Sequence, residues 1–159
     1  MGFFIGCGVI LAQGDKYILV QETRYAKKDF YNLPAGTLEL NEDILACVIR
    51  ETREETGADV SLEHFVGLYQ TVLANDSNIL FFVFAGSVDA SANFRSNEHS
   101  VIEALSYEEI VAHDKAGKLR SPIVLKCISD YRAGQKFPLS AVQALYADAL
   151  DSITVGGDH

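Results

Sequence analysis

The sequence predicts an α/β (α+β) domain, a mixed β-sheet with helices packed on its faces, and three observations predict it. Two pairs of apolar, strand-like runs are each joined by a short polar turn, "QGDK" at 13–16 and "NDSN" at 75–78. Between the pairs lies a segment from Glu42 to about Thr56 whose apolar residues recur at helical spacing. Behind them follow two segments with helix-start signals, at Ser106 and Pro122. A chain of 159 residues, 48% apolar, is ample for one core. With no repeat, low-complexity tract or linker, one domain is expected over 1–150, with 151–159 a flexible tail.

From Phe3 to Leu11 the odd positions are Phe, Ile, Cys, Val and Leu, and two even ones are glycine, the period-2 pattern of a half-buried strand. "YILVQETR" returns as a second strand, and the Gly14-Asp15 pair suits the tight turn between them. A charged loop runs from Arg24 to Asp29, and "FYNLPAG" puts a proline and a glycine after a short aromatic strand. Asn41 is the expected N-cap of the next helix, with Glu42 and Asp43 in its first turn and Gly57 as its stop. Ile44, Leu45, Val48, Ile49 and Thr52 form the face that docks on the sheet.

"VSLEHFVGLYQTVLA" and "ILFFVFAGSV" make the second hairpin, and the latter is apolar enough for burial on both faces. A polar loop over 89–99 leads to a short strand, "SVIEAL", and Ser106 with Glu109 forms a capping box opening a helix. Pro122 starts another helix and Gly134 stops it, with Ile123, Leu125, Ile128 and Tyr131 available to pack. "FPLSAVQALYADAL" adds a last short helix.

The formal net charge of −9 argues against a duplex nucleic-acid or anionic-membrane surface, because phosphate backbones are bound chiefly by Lys and Arg. An anionic substrate needs a cationic intermediary. Cys7, Cys47 and Cys127 lie far apart in sequence and match no metal spacing, so they read as small buried hydrophobes in a reducing, cytoplasmic setting. The apolar start has no basic leader, Gly6 stands where a myristoylation signal wants Ser or Thr, and no segment reaches membrane-spanning length. The oligomeric state is left open.

"RETREETG" at 50–57 raises the chemical question. Glu51, Glu54 and Glu55 share one helix face near the C-terminal end, where the dipole disfavours anions by roughly 0.3–1 kcal/mol each. Bound divalent cations reverse that sign, and carboxylates without neighbouring Cys or His suit Mg²⁺, with Mn²⁺ as a substitute. Magnesium shares its shell with substrate phosphates. The competing reading is a solvated helix end whose Arg50 and Arg53 make weak surface pairs.

The longer string decides between them. In "GTLELNEDILACVIRETREETGA", Gly36 is followed after five residues by Glu42, after seven more by Arg50-Glu51, after two by Glu54-Glu55 and after one by Gly57. These seven positions agree by chance on the order of once in 10⁸ starts. The string resembles the Nudix box at every defining Gly, Glu and Arg, and the chain is identified as a member of the Nudix hydrolases. Thr52, Ala58 and the "LN" before Glu42 depart from the usual pattern, at packing rather than ligand positions.

The resemblance implies an α/β/α sandwich and hydrolysis of a diphosphate linked to another group. It implies Glu54 and Glu55 as main metal ligands, the Gly36 carbonyl as a further one, and Glu51 as a ligand or the base. Arg50 resembles the arginine that orients the catalytic glutamates, and the resemblance implies that Glu42 steadies loop and helix, with a metal role through water as the alternative. An additional metal ligand or base is sought at Glu98 or Glu103, each a surface residue on the alternative view. Arg24 is a candidate for substrate phosphate, whereas Lys27 and Lys28 read as solvated loop charge. Phe30 and Tyr31 are pocket candidates but more ordinary as core. His64, His99, His113 and His159 are dispersed and carry no catalytic assignment.

"LRSPIVLKCISDYRAGQKFPL" resembles, on shorter matches, a bacterial branch of the family, the NudJ-type phosphatases. That implies nucleoside di- and triphosphates or hydroxymethylpyrimidine diphosphate as substrates. Dinucleotides, ADP-ribose or nucleotide sugars are the alternative substrates. A noncatalytic nucleotide-sensing module is the alternative of another class.

Overall fold

A computed structural model describes residues 2–22, 29–73, 75–95 and 101–145. Arg24, Lys27, Lys28, Glu98, His99 and all residues after Leu145, the expected tail among them, lie outside these. The alternating run Phe3–Gln13 forms β1, and Lys16–Glu22 forms β2, joined by a two-residue turn in which Gly14 takes φ 62°. Next come β3 (Phe30–Asn32), β4 (Ala35–Thr37), α1 (Ile44–Thr56), β5 (Val60–Val72) and β6 (Asn78–Val88). β7 (Val101–Ser106), α2 (Tyr107–Lys115), α3 (Pro122–Arg132) and a 3₁₀ turn (Leu139–Ala141) complete the described elements.

The strands form one mixed sheet in the order β3-β2-β1-β6-β5, with β4 added beside β1 and β7 beside β2. β6 runs parallel to β1 from Phe3↔Asn78 to Leu11↔Gly86, and the remaining pairings are antiparallel. β6 takes one whole edge of β1, so the other is divided between β4, at Gly6–Gly8, and β2, at Ala12–Gln13. β5 ends the sheet on one side, with register irregularities at Leu62/His64 and Phe65/Gly67. Beyond α3 the chain returns along this strand. Phe65 and Phe137 exchange backbone hydrogen bonds of 2.9 and 2.8 Å, and Gln135 Nε2 donates to the Val66 carbonyl at 2.8 Å.

Period-2 alternation sends successive residues into two separate cores. Ile10, Leu19, Val83, Ala85 and Leu105 pack with Ile110, Ile123, Val124 and Ile128 beneath α2 and α3. Cys7, Val9, Leu11, Ile18 and Phe84 pack with Cys47 and Val48 beneath α1. The architecture is the expected helix–sheet–helix sandwich. Only the centre of β6, Val83–Gly86, is fully buried; its first half is partly exposed.

Some local expectations are corrected. The N-cap of α1 is Asp43, whose carboxylate accepts from the amides of Leu45 and Ala46 at 2.7 and 3.1 Å. Asn41 instead takes a left-handed turn conformation, φ 61°, which Asn tolerates better than most residues, so Glu42 and Asp43 precede the helix. The docked face centres on Cys47, Val48, Thr52 and Thr56, while Ile49 points outward. The two threonines are buried without unpaired hydroxyls, since each donates to the carbonyl four residues back, at 2.7 and 2.6 Å. Gly36 lies on the short strand β4. The capping box at Ser106–Glu109 and the proline start of α3 are present. Among the described residues no helix is long and apolar enough to cross a membrane.

Candidate active site

Three segments converge at the C-terminal half of α1: the helix itself, the turn before it and β4. Arg50 sits at their junction. Its Nε and Nη2 donate to the two oxygens of Glu42 at 2.6 and 3.0 Å, a forked pairing that fixes the plane of the guanidinium. Nη1 then reaches Glu51 at 2.7 Å and Glu54 at 3.3 Å, and Nη2 also donates to the Thr37 carbonyl at 3.3 Å. The i,i+4 relation that permits the contact with Glu54 is therefore one part of a wider clamp.

The clamp sets the charge states. The hydrogen bonds from Arg50 hold the Glu42 carboxylate down at about 2, assisted by the Glu39 amide, and Glu42 in turn pushes Arg50 above its usual range. Both partners are largely shielded, with Glu42 side-chain exposure at 13% and Arg50 at 27%. Glu55 turns toward β4, where it accepts the Ala35 amide at 2.8 Å. The carboxylates of Glu42, Glu51 and Glu54 thus gather about one guanidinium, with Glu39 at 3.8 Å and Glu55 beside them, bonded to β4.

Gly36 explains itself by contact. A β-carbon built there would lie 2.0 Å from the Glu51 carboxyl carbon, so any side chain displaces that carboxylate. Only a glycine lets Glu51 rest against the backbone of β4. Gly57 is likewise required twice: its φ of 71° closes the helix, and a β-carbon would meet the Arg95 carbonyl at 2.6 Å. The Arg95 amide donates to the Thr56 carbonyl at 2.8 Å, tying the loop after β6 to the end of α1.

Among the described residues no three acidic, His or Cys side chains form a closed metal cage in this conformation. The donor set nevertheless fits a hard divalent cation: carboxylate oxygens outnumber the local positive charge, and the Gly36 cradle brings the helix carboxylates to a backbone edge. Glu103 is placed elsewhere. It lies opposite Leu19 on the α2/α3 side of the sheet and accepts the Tyr31 hydroxyl at 2.8 Å. Burial, then that hydrogen bond, raises Tyr31 to about 12, and its ring stacks at 4.5 Å on His113. Tyr31 is core rather than pocket wall. Cys7, Cys47 and Cys127 are free, buried thiols.

Beyond β4 from these carboxylates opens a cavity of about 470 Å³, bordered by Gly36 and Thr37 and extending to Ile123 and Val124 of α3. Sequence reasoning had no route to it, because its walls come from β1, β4, β5, β6 and α3 together.

A NUDIX domain family profile matches residues 3–127. The chain is 33% identical over 136 residues to a protein of Shigella boydii described as phosphatase NudJ, covering 84% of this chain and 86% of that protein. The counterpart from Escherichia coli K12 is 32% identical over the same length. Among solved structures, a NUDIX hydrolase from Nitrosomonas europaea matches with a TM-score of 0.79 and 34% identity, covering 89% of this chain and 97% of that one. A MutT protein from Methanosarcina mazei, 21% identical with a TM-score of 0.68 over 84% of this chain and 96% of that one, shares the fold.

Proposed function

The chain belongs to the NUDIX family, a hydrolase of pyrophosphate bonds in small molecules, and on that premise we propose that α1 and β4 hold magnesium for cleavage of a small nucleotide-like di- or triphosphate. Nucleoside di- and triphosphates, or a hydroxymethylpyrimidine-type diphosphate, are the substrates favoured by the likeness to the NudJ phosphatases over more than four-fifths of the chain. The observation that carries the metal assignment is the contact of the Glu51 carboxylate with Gly36, next to the Arg50–Glu54 pair.

Glu54, Glu55 and the Gly36 carbonyl hold the ion in this reading, with Glu51 as a further ligand or as the group that takes the proton from water. When bound, Mg²⁺, or Mn²⁺ in its place, supplies positive charge to the phosphoryl oxygens and makes a coordinated water more acidic. Arg50 aims Glu51 and Glu54, while Glu42 holds Arg50 by its fork. Arg24 and Glu98 stay in the proposal as a phosphate contact and an additional acid. Glu103 is the weaker candidate, given its bond to Tyr31. The domain spans about 1–150, and its free, buried thiols suit a reducing cytoplasm.

A panel of nucleoside di- and triphosphates, pyrimidine diphosphates, dinucleotides and nucleotide sugars, assayed with Mg²⁺ for released phosphate, pyrophosphate or nucleotide, tests the reading. Glu54→Gln and Glu51→Gln are expected to lose about 100-fold or more in turnover, the scale of losing a charge-stabilising group. Unchanged turnover in both variants would remove the metal-site assignment. Faster cleavage of dinucleotides than of mononucleotides would move the substrate class.

A further inference from the structure

Three of the large apolar side chains left in solvent stand together. Phe3, Leu68 and Val72 are 65, 51 and 59% exposed. Strand register puts Phe3 of β1 and Val72 of β5 on either side of Asn78 of β6, and Leu68 beside Phe82, with Leu80 and Gln70 in the row between. Phe82 packs against the core beneath α1, so this is the α1 side of the sheet, and residues of opposite parity, such as Phe81 and Thr71, face the cavity instead. Along β1 burial beneath α1 is complete at Cys7 and has faded at Phe3. Gln70 and Asn78, the polar members of the face, are hydrogen-bonded to each other at 3.0 Å, and none of these residues is charged, in a chain of net charge −9.

A sheet buries its apolar face against another element, and size decides which element fits here. β1, β6 and β5, about 4.8 Å apart and bare over about five residues of about 3.3 Å each, present roughly 14 by 17 Å, on the order of 250 Å². A standard interface between two proteins buries about 800 Å² on each partner, so this face is too small to hold a second copy by itself. A single short helix, about 10–12 Å across, matches its width.

The chain returns to this side after α3. Phe137 pairs its backbone with Phe65 of β5, and the rings of Phe137, Phe65 and Phe82 follow one another at centroid distances of 6.3 Å. Leu139 and Val142 then pack against the α1-side core. The described residues end at Leu145, which is exposed, and the sequence goes on as "YADALDSITVGGDH". At about 100° per residue Leu145, Tyr146, Ala149, Leu150 and Ile153 fall within an arc of about 140°, with Asp148 and Asp151 opposite. Gly156 and Gly157 follow as a stop. From Leu145 to Ile153 a helix at about 1.5 Å per residue runs about 14 Å, within the length of the bare face.

We infer that residues 145–153 dock as an amphipathic helix on the α1 side of β1, β6 and β5, with the apolar stripe over Phe3, Leu68, Leu80 and Val72 and the two aspartates in water. The segment lies beyond residues 3–127, which match the family profile, so this contact is independent of the chemistry proposed at α1.

The chain has no tryptophan, so one introduced into the full-length protein reports on the segment alone. Leu150→Trp, on the apolar stripe, is expected to emit at shorter wavelength and to be quenched by acrylamide several-fold more weakly than Asp151→Trp on the opposite side. Leu68→Glu and Val72→Glu, at positions already in solvent, should each make the Leu150→Trp indole as quenchable as that of Asp151→Trp while thermal unfolding stays cooperative; either serves if the other does not fold. Equal quenching of Leu150→Trp and Asp151→Trp overturns the inference, as does protection of Leu150→Trp that survives both face substitutions. Protection that appears only as protein concentration rises, together with a dimer in sedimentation, assigns the face to a second copy and overturns it as well.

Discussion

At Arg50 one guanidinium serves Glu42 with two nitrogens and Glu51 and Glu54 with a third, so its position is set before any ligand arrives. Glu42→Gln breaks the fork. Because the folded protein holds Glu42 near 2, below the ordinary value of 4.5, the stability it contributes is fully present above 4.5 and is lost as the pH falls toward 2. The difference in urea midpoint between wild type and Glu42→Gln should therefore be largest at neutral pH and shrink across that window. Gly36→Ala acts on Glu51 instead: the added β-carbon displaces its carboxylate, and misplacement by about 1 Å costs on the order of 100-fold in kcat. Steady-state kinetics together with a thermal melt separates that loss from unfolding. The seven box positions were legible one by one in the sequence, since their spacing is local. What each glycine avoids was not, because the atom it avoids belongs to another segment.

The box helix is bounded by two devices of unequal legibility. Gly57 reads directly as a stop, whereas Asp43 displaced Asn41 as the cap because the turn before it needs a left-handed residue. Asp43→Ala should cost about 1 kcal/mol, the usual loss for an N-cap. Gly57→Ala should cost more than about 1 kcal/mol, because it strains φ and meets the Arg95 carbonyl. Urea unfolding of both variants checks the order. The phase of α1 was misjudged by a small rotation, burying Cys47 and exposing Ile49, since docking on β1 and β4 rather than residue hydropathy alone fixes which side faces in. β4 escaped notice because three residues show no period; its pairing with Gly6–Gly8 is a tertiary fact.

For the molecule as a whole, with magnesium held as proposed at the acidic end of α1, folding and cation binding form one linked equilibrium. Magnesium at about 100 times its Kd should stabilise the protein by about 2.7 kcal/mol, a rise of about 5–10 °C in Tm for a domain of this size. A Glu51→Gln, Glu54→Gln, Glu55→Gln triple variant should melt at a temperature independent of magnesium. Scanning calorimetry with and without the ion decides it. The sandwich itself was readable from two hairpins and three helix signals, but the split edge of β1 and the cavity it helps to frame arise from pairings between distant segments. The segment behind α3 also has a wider consequence. By bonding to Phe65 and Val66 it occupies backbone groups along the last strand of the sheet, groups that would otherwise template strand addition by a neighbouring molecule. A chain truncated after Gly134 loses Leu139 and Val142 from the margin of the α1-side core and bares β5, and should self-associate on warming, with light scattering rising well before the full-length protein's. The residues following the last long helix then act as a guard for colloidal solubility, a duty separate from the chemistry proposed at α1.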